Sequence, residues 1–252
     1  MNISSTKAII SGGASGLGFA CAKMLIDNGG SVTLLDINKE QGAKAVAELG
    51  SKAHFIVTDI SQEQQVESAA DKAAELMEGI NLAIGCAGIL GAGLIHSKKG
   101  PMPADYFQKV VDINLVGSFL LTRAASKHMQ ANDANNGEKG VIIHTASIAA
   151  YEGQVGQTAY SATKAAITGM ILPLAREFAR IGVRVMAIAP GVFETPMMEK
   201  ITPEICEQIA AGIPNPSRFG KPVEFAKTVK HIIENQYLNG NTIRLDAAAR
   251  LQ

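Results

Sequence analysis

Short apolar runs alternate with longer amphipathic stretches along nearly the whole chain. The runs at 7–11, 31–35, 53–57, 81–85, 141–146, 183–189 and 242–245 are mostly too continuously apolar to have one wet face, so they read as strands covered on both sides. Between them, stretches beginning near Gly16, Asn38, Gln62, Ala104, Gln157 and Pro222 carry the spacing of helices that bury one face. Such alternation builds a parallel sheet from repeated strand and helix units. The pattern predicts an α/β fold, a doubly wound sheet of about seven parallel strands with helices on both faces, forming a single domain over residues 1–252. Pro173 should bend the helix that starts near Gln157, because it removes a backbone donor. Residues 88–103 and 132–139 read as surface excursions.

Composition narrows the function classes. The 23 basic and 23 acidic side chains balance, so no net field recruits nucleic acid or anionic lipid. Cys21, Cys86 and Cys206 are far apart and have no Cys/His cluster around them. Neither a disulfide framework nor a metal site is expected, only reduced thiols. The first residues hold no apolar leader, and no run reaches the roughly 18 apolar residues of a membrane span. The expectation is a soluble protein without nucleic-acid or membrane partners, cytoplasmic or, in a eukaryotic host, in the mitochondrial matrix.

The first candidate chemistry is Ser11-Gly12-Gly13-Ala14-Ser15-Gly16-Leu17-Gly18, directly between the first strand and the first helix. Gly12 permits a tight turn, Gly16 lets backbone N–H groups approach a pyrophosphate, and Gly18 lets helix and sheet pack closely. A plain strand-to-helix turn could also carry such glycines. Asp36 strengthens the dinucleotide reading, since it closes the second strand 18 positions beyond Gly18, where a carboxylate can hold both ribose hydroxyls. The same carboxylate repels a 2′-phosphate, and positions 14 and 37 carry Ala and Ile rather than cations. NAD is therefore expected over NADP.

The second is Tyr160-Ser-Ala-Thr-Lys164 at the start of a predicted helix, which puts phenol and ammonium one turn apart on one face. Lowering a phenol from about 10 to about 7 takes roughly 4 kcal/mol. One charge about 4 Å away supplies that at an effective dielectric near 20, but only about 1 kcal/mol in bulk water. Lys164 can therefore activate Tyr160 only in a partly dry site. Ser147 ends the fifth apolar run, at the sheet edge where open α/β folds place ligands, and its hydroxyl could donate to a substrate oxygen.

Each of these signals is weak alone. Together, Gly12, Gly16 and Gly18, Asp36, Cys86-Ala87-Gly88, Asn114, Ser147, Tyr160, Lys164, and Pro190-Gly191 with Thr195 resemble, in order and spacing across essentially the whole chain, the short-chain dehydrogenase/reductase family. The resemblance implies a Rossmann-type fold, with Asn114, Ser147, Tyr160 and Lys164 as the catalytic set, Asn114 ordering a water behind Lys164. It implies that Ser15 and Leu17 join the glycines around the cofactor, that Asp59 and Ile60 contact adenine, and that Cys86, Ala87 and Gly88 line the cleft. Pro190 and Thr195 would border the nicotinamide end, with Tyr160 and Lys164 also facing the cofactor. Two positions depart from the family pattern, Ser11 for the usual Thr and Cys86 for the usual Asn. The second removes an amide that braces neighbouring strands.

Residues 192–213, with Phe193, Met197, Met198, Ile201, Ile205 and Ile209, could cover an apolar substrate, the cover reaching to about residue 220, or could be ordinary helix packing. Lys98-Lys99-Gly100 could meet a phosphate or simply be solvated. A narrower resemblance, carried by Glu152-Gly-Gln-Val-Gly-Gln157, Ile188-Ala-Pro-Gly191, Pro216-Ser-Arg-Phe-Gly220 and Ile243-Arg-Leu-Asp246, is to the type 2 3-hydroxyacyl-CoA dehydrogenase branch of the family. It implies oxidation of a short or 2-methyl-branched (S)-3-hydroxyacyl-CoA to the 3-ketoacyl-CoA in fatty-acid or isoleucine breakdown. Gln154 and Gln157 would be substrate contacts beside Ser147 and Tyr160, and the assembly a homotetramer paired through the helices over 104–130 and 157–180. The rivals are a family member acting on a steroid, a sugar or as a 3-ketoacyl reductase, and a non-catalytic NAD-binding regulator.

Overall fold

The computed structural model of the chain describes residues 1–98, 100–198 and 202–251, without the side chains of Met197 and Pro203. Seven strands form one parallel sheet: β1 (Lys7–Ser11), β2 (Ser31–Asp36), β3 (Ala53–Val57), β4 (Leu82–Gly85), β7 (Gly140–Thr145), β8 (Val183–Pro190) and β9 (Thr242–Leu245). Their order is β3-β2-β1-β4-β7-β8-β9. The chain thus winds outward from β1 in one direction, returns, and winds the other way, which opens a crevice between β1 and β4 at their carboxyl ends. This is the Rossmann-type arrangement the alternation predicts. The pair β5 (His96–Ser97) and β6 (Gly100–Pro101) forms a small antiparallel hairpin in the first excursion.

Side-chain parity divides the core in two. On β1, Ile9 packs with α3 (Glu63–Met77), α5 (Gly117–Met129) and α6 (Thr158–Phe178). Ala8 and Ile10 face α1 (Gly16–Asp27), α2 (Lys39–Leu49) and α8 (Pro222–Glu234) on the other side. Both faces are apolar because both are covered, and all eight residues of β8 are buried. Even Arg184 on that strand is paired, with the Glu138 carboxylate at 2.6 Å. Among the described residues no helix is long and apolar enough to cross a membrane.

Apart from strand ends shifted by one residue elsewhere, the predicted elements differ from the structure in three places. Asn81 stands outside β4 because its side chain is taken up by the chain start, accepting from Lys7 N at 2.7 Å and donating to Ser5 O at 2.9 Å. The helix predicted from Ala104 is α4 (Ala104–Val111) and α5 joined by a wider π turn over Asp112–Val116, which contains Asn114. The stretch beyond β8 contributes a helix, α7 (Pro203–Ala211), that the apolar pattern had left open. Helix α6 continues through Pro173, which forgoes the hydrogen bond to the carbonyl four residues back at Gly169.

Candidate active site

The crevice is built from backbone. Gly12 and Gly16 both have positive φ, +63° and +54°, so the turn from β1 to α1 takes a course that L side chains resist. A Cβ on Gly12 would lie 2.7 Å from Ala87 N, and one on Gly18 would strike Gly12 O. Gly12 N donates to Leu35 O at 2.8 Å and Cys86 N to Ser11 O at 3.0 Å, so β2, β1 and β4 hold the turn between them. Helix α1 starts directly behind this turn without a side-chain cap, Ser15 making none, so its first-turn N–H groups have no side-chain partner. An uncapped helix start behind a turn that excludes Cβ atoms suits the phosphates of a dinucleotide.

Asp36 closes β2 beside this turn. Its Oδ2 accepts from Ala14 N at 3.4 Å and its Oδ1 from Asn38 N at 3.1 Å, which fixes the carboxylate at the rim of the crevice. Next to it Ile37 is 71% exposed. Beyond β3, which lies next to β2 on the same side of the crevice, Asp59 Oδ1 accepts from the amide and hydroxyl of Ser61, while Ile60 turns its side chain into the core against Gly117. Thr195 comes from beyond β8 to sit over the glycine turn, its Cγ2 3.5 Å from where a Gly16 Cβ would be. Pro190 ends β8 and Gly191 N donates to Leu245 O at 2.9 Å, which sets the path of that segment.

The catalytic-type residues gather where β4, β7, the π turn and α6 meet. Lys164 is only 5% exposed. Its Nζ donates to Thr145 O at 2.7 Å and lies 5.7 Å from the Tyr160 ring centroid. Burial lowers this ammonium to about 8, with Cys86 opposing the shift. Gly88 closes the other side, for a Cβ there would stand 3.7 Å from Lys164 Nζ and 3.2 Å from Asn114 Oδ1. Asn114 is fully buried, accepting from Ile89 N at 2.9 Å and donating to Ile89 O at 3.0 Å and Thr163 Oγ1 at 3.2 Å. Its backbone carbonyl accepts from Ser118 Oγ at 2.7 Å.

Ser147 follows β7, accepts from Ala149 N at 3.1 Å and is hydrogen-bonded to the Tyr160 hydroxyl. The Tyr160 phenol is held above its ordinary value by burial, with the Ser147 hydrogen bond pulling the other way. The partly dry site is thus present, but in the chain alone the phenol is not brought down, because desolvation of the phenolate outweighs the Ser147 hydrogen bond. Tyr160 stands protonated beside Ser147, ready as a proton donor.

Sequence reasoning missed the residues that brace this set. Thr163 donates to Tyr160 O at 2.8 Å while receiving the Asn114 amide, and Thr145 anchors Lys164 through its carbonyl. A threonine inside a helix or at a strand end gives no pattern that marks such a role. His144, three residues before Ser147, would tempt assignment as a base. Its Nε2 lies 2.7 Å from Thr122 Oγ1, and burial and then Lys164 drive it down to about 4, so it stays neutral.

The substrate side is less closed. Gln154 and Gln157 bond to each other, Gln154 N to Gln157 Oε1 at 3.0 Å, in the turn that leads into α6. Gly93 N donates to Gly156 O at 2.8 Å, tying the first excursion to that turn. Leu94, Ile95 and Val155 stand exposed around this junction. Phe193 does not face a substrate: it is buried edge-on to Phe225, with centroids 6.4 Å apart, and fills the space that a Gly220 side chain would need. Ile205 is exposed, Met198 and Ile209 are partly buried, and the Met197 side chain and Ile201 lie outside the described residues. Lys98 and Gly100 lie at the turn of the small hairpin, and Lys99 also lies outside the described residues.

Comparison with known proteins agrees with this geometry. The family model described as short chain dehydrogenase matches residues 6–205. The chain is 45% identical over 248 residues to the 3-hydroxyacyl-CoA dehydrogenase type-2 of Homo sapiens, covering 97% of this chain and 95% of that one. It is 41% identical over 252 residues to the protein of the same name from Drosophila melanogaster, with 99% of each covered. The crystal structure of 3-hydroxyacyl-CoA dehydrogenase type-2 from Mycobacterium avium superposes with a TM-score of 0.93 at 38% identity, over 99% of this chain and 97% of that one.

Proposed function

The chain belongs to the short-chain dehydrogenase family and is an oxidoreductase, and on that premise we propose that it interconverts 3-hydroxyacyl-CoA and 3-ketoacyl-CoA with NAD as its hydride carrier. The observation that carries the reading is the Ser147, Tyr160 and Lys164 cluster at the sheet edge, beside a turn that leaves no room for a side chain at Gly12 or Gly18. A bound nicotinamide would supply the hydride donor or acceptor and, in its oxidised form, a positive charge. The chain's own residues handle the proton and the oxygen. Ser147 is placed to donate a hydrogen bond to the substrate oxygen, and Tyr160 to give that oxygen its proton in reduction or take it in oxidation. Lys164, held by Thr145 O, keeps a positive charge next to the phenol in a site dry enough for the charge to count. Asn114 and Thr163 fix the α6 turn that presents Tyr160.

Asp36 supports NAD over NADP. Its carboxylate is fixed at the rim by two backbone donors, and neither Ala14 nor Ile37 offers a cation for a 2′-phosphate. For the substrate, the support is the names of the relatives together with the exposed apolar trio Leu94, Ile95 and Val155, which suits a short acyl chain. Residues 192–220 would cover it through Met198 and Ile209 rather than Phe193. The half-exposed Phe119 on α5 and Leu172 on α6 support a homotetramer paired through those helices. An absorbance screen of NADH oxidation with 3-ketoacyl-CoA esters of increasing chain length, set against steroid ketones, tests the assignment. Turnover fastest with short or 2-methyl-branched esters is expected, and steroid ketones turning over faster than every ester would overturn it.

A further inference from the structure

We propose that Cys86 is a peroxide-sensitive thiol set in the wall of the crevice, and that Cys21 converts its oxidised form into a disulfide. The inference rests on reading that crevice as the dinucleotide site. Neither thiol has a part in the hydride transfer.

Three features place the pair. Strand parity puts Cys86 on the same side of the sheet as Ile84, and Thr145 on the same side as Ile143, both toward α1, whose fully buried Cys21 belongs to the same cluster. The Thr145 hydroxyl donates to Cys86 Sγ at 3.4 Å, and the Cys21 thiol is a second hydrogen-bond partner of that sulfur. Lys164 adds a positive charge within its field. Two donors and a cation favour the thiolate, the form that attacks oxidants. The Cys21 bond first, then Thr145 and Lys164, hold Cys86 below its ordinary value against burial, whereas burial raises Cys21.

Access separates the two roles. Cys86 as a residue is partly exposed at the crevice wall while Cys21 has no exposed surface, so the crevice gives a peroxide a shorter path to Cys86 than to Cys21. The Cys86 thiolate attacks one oxygen of hydrogen peroxide, forming an S–O bond as the O–O bond breaks. Sulfur is oxidised by two electrons, and the departing hydroxide takes a proton to become water. The Cys21 sulfur then attacks the sulfenic sulfur: the S–S bond forms, the S–O bond breaks, and hydroxide leaves with the Cys21 proton as water. The consequence is local. A Gly12 Cβ would come 2.9 Å from the Cys86 carbonyl carbon, so the glycine turn is pressed against this residue, and drawing Cys86 toward α1 disturbs both walls of the crevice.

The test treats the intact chain with hydrogen peroxide and reads intact mass, the cysteine peptide map and NADH affinity by fluorescence. Expected are a loss of about 2 Da, a peptide joining Cys21 to Cys86, and an approximately tenfold weaker NADH affinity restored by dithiothreitol. Cys21→Ala should stop at a dimedone-reactive gain of about 16 Da on Cys86, and Cys86→Ala should show neither species. The proposal is overturned if the disulfide joins Cys206, if Cys21 oxidises as fast in Cys86→Ala, or if the disulfide form binds NADH as tightly as the reduced chain. If reduced chain does not bind NADH at all, the functional reading fails, and the peptide map alone decides the thiol pair.

Discussion

The crevice beside α1 and the surface where the first excursion meets the turn into α6 are made of different material. The crevice is backbone: two glycines at positive φ, a third too close to the chain for any side chain, and a carboxylate held by amides. The candidate substrate surface is side chain: Val155 at 90% exposure, Leu94 and Ile95 at about half, and a proposed cover whose Phe193 packs inward. A backbone site admits few sequences and one class of ligand. A side-chain surface admits many of both, so the reaction class is far better determined than the substrate.

Breaking the chemistry shared by the two regions gives the largest expected effect. Tyr160→Phe deletes one hydroxyl and should lower kcat by about a thousandfold while dinucleotide affinity stays within about threefold. Steady-state rates and fluorescence titration check both, and activity within tenfold of the parent would refute the proton-transfer role. Gly12→Ala attacks the backbone side alone. With φ at +63° and a Cβ 2.7 Å from Ala87 N, it should weaken NADH binding at least about tenfold, and an unchanged affinity would mean the crevice is not backbone-limited. Asp36→Ala combined with Ile37→Arg should move the NADPH to NADH ratio of kcat/KM by about ten- to a hundredfold toward NADPH, about 1.4 to 3 kcal/mol.

The junction of the regions has a pH signature. Folded Lys164 loses its proton at about 8, whereas in the unfolded chain a lysine holds it to about 10.4. Between those values the unfolded state binds more protons, so this residue makes stability rise with pH, and the increment is absent below about 8. Denaturant titrations should show the rise in the parent, on the order of 1–3 kcal/mol, and its loss in Lys164→Met. A parent curve parallel to that of the variant would show that Lys164 is not held in a dry site. The smallest effect belongs to the substrate surface: Val155→Ser should raise KM for longer 3-ketoacyl-CoA esters about two- to threefold with kcat unchanged.

The same contrast explains what could be read from sequence. Gly12, Gly16, Gly18 and Asp36 stand out in the sequence because the roles proposed for them depend on residue type at fixed spacing, and Asp36 Oδ2 accepts from Ala14 N within the same glycine turn. The strand and helix alternation likewise gave the sheet, since covering both faces forces continuous apolar runs. Thr145, Thr163 and Ile89 left no trace because their work is done by backbone atoms or by hydroxyls any helix may carry. The inward turn of Phe193 depends on Gly220 and Phe225, 27 and 32 residues away, a long-range fit that local apolar pattern does not encode. The raised phenol of Tyr160 followed from burial, which spacing alone does not reveal.

The most direct measurement is the comparison of NADH with NADPH as the reductant of acetoacetyl-CoA, as kcat/KM under identical conditions. Asp36 at the crevice rim and the Ser147, Tyr160 and Lys164 cluster predict turnover with NADH at least about a hundredfold more efficient than with NADPH. Equal efficiencies, or a preference for NADPH, would contradict the cofactor assignment, and no turnover with either would contradict the substrate.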